Sequence, residues 1–195
     1  MRIKDINIVN FKGFQNETVV FNGNLTVVIG NNTAGKTTLL KAIQVGLGAY
    51  LQSLKQLPGG APYRRNFSSL DKFMRFDEEL RDYIPNDEKP RITINADFPV
   101  TQSLCDNCPK VSFIPVHWYR EFAGNYTTHT RACAGELIDA VHQMESLRYD
   151  KKQESVYPLV LAFGAKRTSD SQARSSSNVK ERASRIEKAY KFALH

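Results

Sequence analysis

Residues Gly30-Asn31-Asn32-Thr33-Ala34-Gly35-Lys36-Thr37 form a complete phosphate-binding P-loop, and their flanks restrict the fold more than any other stretch of the chain. Leu25-Thr26-Val27-Val28-Ile29 runs into the first glycine as a short apolar stretch rich in β-branched residues, the pattern of a buried parallel strand. Beyond Thr38 the spacing predicts a helix, with Leu39, Leu40, Ile43, Leu47, Tyr50, Leu51 and Leu54 on one apolar stripe. Strand, glycine loop and helix in that order are what the motif requires, and a chance match would need both flanks to be coincidental.

The residue types explain the chemistry. Backbone N–H groups from Asn31, Asn32, Thr33 and Ala34 through Thr37 can wrap an anion, helped by the partial positive charge of the helix N-terminus. Gly30 and Gly35 stand where a side chain would obstruct phosphates or forbid the backbone angles. Lys36 can reach β- and γ-phosphate oxygens, Thr37 can ligate Mg²⁺, and Thr38 can bond the α-phosphate. The cofactors implied are ATP and Mg²⁺.

Composition sets the frame. The 195 residues suffice for one domain with a real core. The N-terminus shows no signal-peptide pattern and no apolar run approaches the ~20 residues of a membrane span, so a cytoplasmic location without membrane contact is expected. Three cysteines do not build a disulfide framework. The net charge of +7 is uneven: 17 Lys and Arg face 16 Asp and Glu in residues 1–150, but 10 face 4 in residues 151–195. That basic end suits either a nucleic-acid partner or simple solvation.

Strands are expected over residues 2–11, 17–21, 90–98 and 111–120, the last with Pro115 marking an edge or bulge. Asn22-Gly23 reads as a hairpin-type turn. Residues 67–83 fit a charged amphipathic helix, and 136–149 are helical by spacing. Residues 157–163 read as an apolar run, expected to be a buried strand. A Ser-rich linker is expected at 168–180, and a further helix begins at 181–195.

Asn10-Phe11-Lys12-Gly13-Phe14, placed before a G-N-N-x-A-G-K-T-T loop, resembles the RecF/SMC/OLD-type branch of the ABC ATPases. The resemblance is firm over residues 1–54. It implies an α/β P-loop fold: an ABC-type head with an antiparallel β-lobe, of which 1–167 form the N-terminal part. It places Asn10, Lys12 and Gly13 near the base and sugar, and Asn31 to Thr38 around phosphates and metal. The stretch from Tyr157 to Gly164, with Arg167, is similar to defence-associated members, the ATPases of Septu systems and retrons that work with an HNH nuclease. The partners so implied are a second head, giving a homodimer, a nuclease and nucleic acid.

The family's Walker B acid, signature serine motif, metal-touching glutamine and switch histidine find no match, so no catalytic residue is identified and efficient hydrolysis is not expected. A chain that is the N-terminal part of a longer ATPase would explain this. Two other functions stay open: a nucleotide sensor that binds without turnover, and a small-molecule kinase. Cys105-Asp106-Asn107-Cys108 has zinc-knuckle spacing, with Cys133, His117 and His129 as further donors, but no second close-spaced pair. His117-Trp118-Tyr119-Arg120 can be read as a base-stacking platform or, preferably, as core around Trp118. The dibasic Arg64-Arg65 reads as solvated surface.

Overall fold

A computed structural model describes residues 1–55, 57, 64–102, 110–149 and 155–162. The linker at 168–180, the helix at 181–195 and the Cys105/Cys108 pair lie outside the described residues.

Alternating apolar residues build one antiparallel sheet. Strands β1 (Arg2–Phe11), β2 (Phe14–Val20), β5 (Arg91–Gln102) and β6 (Lys110–Glu121) are ordered β2-β1-β5-β6. Ile8 pairs with Ile92 and Ile92 with Arg120; Ile6 pairs with Ile94 and Ile94 with Trp118. One face therefore carries Ile6, Ile8, Ile92, Ile94, Ala96, Phe98, Val116 and Trp118, all buried. The edge position of β6 tolerates Pro115, as the sequence suggests. At the same edge the His117 N–H donates to Glu136 Oε2 at 2.7 Å.

Helix α1 (Lys36–Ser53) lies on that inner face beside α2 (Arg131–Tyr149), and both contribute to a single core. A Cβ on Gly46 would stand 2.4 Å from Ile94 Cδ1, and one on Gly48 2.3 Å from Arg120 Nη1, so the two glycines let the helix approach the sheet. Trp118 Nε1 donates to the Gly46 carbonyl at 2.9 Å, fixing the helix in register. Tyr50 Oη donates to the Pro158 carbonyl at 3.0 Å, tying α1 to residues 155–162. Contacts on several sides explain why α1 also buries Ala42, Val45 and Ala49, beyond the simple stripe of the sequence.

Three expectations are corrected. Residues 25–29 belong to no strand, and Leu25, Val27 and Ile29 are 81%, 71% and 90% exposed. Among the described residues no neighbouring strand pairs with them, so β-branched composition alone does not yield a buried strand. Residues 155–162 likewise join no sheet: Val160 is buried while Leu159 and Leu161 are exposed.

Residues 67–83 form no α-helix. A 3-10 turn (Ser69–Asp71) leads to a hairpin of β3 (Met74–Asp77) and β4 (Asp82–Pro85). Asp77 Oδ1 accepts the N–H groups of Glu79 and Leu80 in the turn, and Phe76 packs edge-on to Tyr83 across the strands. These local bonds outcompete the helical spacing. Among the described residues no helix is long and apolar enough to cross a membrane.

Candidate nucleotide-binding site

The P-loop closes onto the first turn of α1. Gly35 occupies the N-cap with φ 82°, a left-handed angle favouring glycine, and no side chain caps the helix. No acidic residue lies in the first turn, so the orphan N–H groups and the positive end of the dipole are available to an anion. Ala34 N–H bonds the Asn31 carbonyl at 3.1 Å, while the N–H groups of Asn32, Thr33 and Gly35 have no backbone partner among the described residues. Thr33 has φ 76°, and its hydroxyl donates to the Asn32 carbonyl. Residues 30–34 are exposed.

Lys36 folds back across the loop. Its Nζ donates to the carbonyls of Gly30 and Asn31, both at 2.6 Å. An incoming phosphate would compete for this ammonium with two neutral carbonyls, a weaker pairing than a charged oxyanion. Thr37 is exposed at the start of α1, and Thr38 half-buried beside it. The donor set therefore fits a triphosphate with Mg²⁺: backbone N–H groups and an ammonium for phosphate oxygens, and one hydroxyl for a metal whose other ligands are phosphates and water. The bound metal would supply neutralisation of the phosphate charge; the chain's part is to orient it.

The corner between β1 and β2 stands against this loop. The Phe14 ring fills the space beside Gly35, where a Cβ would come within 2.9 Å of it. The side chains of Asn10 and Lys12 are engaged elsewhere. Asn10, at φ 51° and 1% exposed, donates to Glu88 Oε2 and accepts from Asn86 Nδ2, both at 2.7 Å. Lys12, at φ 53°, pairs with buried Asp71 at 2.6 Å. Gly13 is exposed with nothing nearby.

Burial pushes the Asp71 carboxyl up. Hydrogen bonds from Lys12 and Ser68, with the Lys12 charge, outweigh this and hold it below the usual carboxylate range. These braces, with backbone bonds Lys12 N–H to Asp71 O at 2.8 Å and Phe73 N–H to Asn10 O at 3.0 Å, lock the corner in place. Sequence spacing offers no clue to them, because Asn10 and Asn86 are 76 residues apart.

Trp118 is core, as preferred from the sequence, and the stacking platform is not formed by it. Among the described residues no group of three His, Cys, Asp or Glu side chains could hold a metal.

Residues 1–192 match the family model described as AAA ATPase domain. Over 49 residues the chain is 45% identical to the Retron Ec83 probable ATPase of Escherichia coli, covering 24% of this chain and 9% of that protein. Over 47 residues it is 43% identical to the DNA double-strand break repair Rad50 ATPase of Sulfolobus acidocaldarius, covering 24% and 5%. The chain thus matches less than a tenth of the length of either relative.

A solved structure from work on ATP-driven dimerization and DNA-stimulated activation of SMC ATPases superposes with a TM-score of 0.44 at 17% identity, covering 73% of this chain and 79% of that one. With the family model spanning nearly the whole sequence, the chain belongs to the AAA ATPase domain family.

Proposed function

We propose that the chain binds ATP with Mg²⁺ at residues 30–38 and serves as the P-loop half of an SMC/Rad50-like ATPase head. In this reading two heads associate on nucleotide, and the closed state acts on nucleic acid and a partner nuclease in phage defence or DNA repair. The observation that carries the nucleotide reading is the uncapped N-terminus of α1 with Lys36 held only by two neutral carbonyls. Support for the wider role is that the matched relatives are a retron ATPase and a Rad50 repair ATPase. Asn10, Lys12 and Gly13 are included in the proposed site as the base and sugar neighbours that the sequence resemblance implies; the approach of Phe14 to Gly35, which brings the β1–β2 corner to the loop, supports this.

Closure by nucleotide is a population shift, and its size is bounded by the difference in ATP affinity between closed and open forms. Sedimentation of the protein with ATP·Mg²⁺, with ADP, and with ATP plus duplex DNA tests the proposal. ATP-specific dimers stimulated by DNA are expected. ATP binding with no change in mass would favour the sensor reading, and phosphate transfer to a small acceptor would favour the kinase.

A further inference from the structure

A group of basic side chains lies beside the other half of α1. Arg120 occupies a core position of β6, in line with Val116 and Trp118, and is 1% exposed. Its Nη1 donates to the carbonyls of Val45 at 2.7 Å and Arg65 at 3.0 Å, and its Nη2 to Asn66 Oδ1 at 2.8 Å. Arg64 Nε shares that same Asn66 oxygen at 3.3 Å. His129 lies close enough for Arg120 and Arg64 to oppose its protonation, after burial, which is the larger cause.

Three buried nitrogens of this cluster, Arg65 Nε, Arg120 Nε and His129 Nδ1, have no hydrogen-bond partner. Among the described residues no ion pair neutralises Arg65 or Arg120, and His129 stays neutral at neutral pH.

A buried guanidinium bonded only to neutral acceptors keeps its full charge uncompensated, and adjacent cations add to the cost. Bracing α1 against residues 65 and 66 explains the two Nη groups of Arg120. It does not explain the unpaired Nε atoms of Arg65 and Arg120. An oxyanion accepting from these donors would satisfy both charge and hydrogen bonding, and the planar guanidinium suits phosphate oxygens.

We propose that Arg64, Arg65, Arg120 and His129 form a phosphate-binding site separate from the P-loop. Gly48, against which Arg120 packs, is twelve residues along α1 from Lys36, about 18 Å at helical rise. The phosphate is either free or carried on a nucleic-acid backbone, and both use the same donors. This inference does not depend on ATP binding at the P-loop.

His129 is the reporter. Imidazole resonances of the whole chain, with that of His129 identified by its loss in His129→Gln, are titrated in pH at constant ionic strength. The titration is repeated with inorganic phosphate, with a short phosphodiester oligonucleotide, and with chloride alone. Bound phosphate replaces a cationic surrounding with an anion, so the His129 pKa is expected to rise by about one unit or more, a tenfold gain in proton affinity.

The rise should persist in Lys36→Ala and vanish in Arg64→Gln, a half-buried position whose replacement leaves Arg120 in the core. A response to inorganic phosphate alone assigns a free ligand, and a response to the oligonucleotide at lower concentration assigns a nucleic-acid phosphate. No movement with either, an equal movement with chloride, or an undiminished response in Arg64→Gln would overturn the proposal.

Discussion

Gly46 holds α1 against the sheet, and its replacement by alanine gives a quantitative check of that packing. The added Cβ would stand 2.4 Å from Ile94 Cδ1 and 3.2 Å from both Ile94 Cγ1 and Ile92 Cγ2. Ile92 and Ile94 are both fully buried, so neither side chain can swing into solvent. Overpacking of this kind costs about 1–3 kcal/mol. Alanine in a helix interior returns about 1 kcal/mol through propensity, which leaves a net loss of up to about 2 kcal/mol.

Ile94→Val removes the closest methyl and costs about 0.5–1.5 kcal/mol alone. In the double variant the new Cβ occupies the vacated space. The pair should therefore be more stable than additivity predicts by about 1 kcal/mol, or roughly 2–4 °C in Tm for a chain of this size. Urea unfolding of wild type, both single variants and the double, at unchanged slope, measures the coupling. A Gly46→Ala variant stabilised by the full propensity gain, and additive with Ile94→Val, would mean that Gly46 does not face Ile94.

Three further outcomes follow from titrating groups. Asp71 has a lowered pKa, so its contribution is present at neutral pH and lost as pH falls through the folded-state value. Asp71→Asn should lose about 1–3 kcal/mol at neutral pH and converge on wild type in acid, read from urea midpoints across pH. His129, lowered to about 4 chiefly by burial, must gain charge on acidification; stability should rise with pH between about 4 and 6.5, and His129→Gln should flatten that limb. Glu145 is 2% exposed, and burial raises its pKa against the opposing Lys55 N–H bond and charge. Stability should fall as pH rises through that folded-state value, so Glu145→Gln should exceed wild type in alkaline buffer and match it in acid.

The parts of the fold legible in the sequence are those where one periodicity meets one burial pattern. Ile92, Ile94, Ala96 and Phe98 alternate because β5 is buried on one face only, and Pro115 marks β6 as an edge. The start of α1 at Lys36, directly after Gly35, is legible because a glycine N-cap is a local signal. Residues 67–83 fit a charged amphipathic helix in sequence, while the Asp77 turn bonds and the Phe76–Tyr83 pair favour a hairpin. Residues 25–29 show the limit of composition, since burial of a strand depends on neighbours elsewhere in space.

The cation cluster was hidden for a similar reason. Arg120 sits in register with Trp118, and an arginine on an apolar face reads as surface until the carbonyls of Val45 and Arg65 are seen to receive it. Asn10 and Lys12 belong to a recognisable element, but their bonds to Asn86, Glu88 and Asp71 join parts of the chain that sequence spacing does not connect.

The most direct measurement of the central claim is the calorimetric affinity for ATP, with and without Mg²⁺, of the wild-type chain, Lys36→Ala and Thr37→Ala. Loss of the Lys36 charge-assisted bonds should cost about 1.5–3 kcal/mol, a weakening of roughly ten- to a hundredfold. Thr37→Ala should erase most of the gain that Mg²⁺ brings. Unchanged affinity in Lys36→Ala would contradict the assignment of residues 30–38 as the nucleotide site.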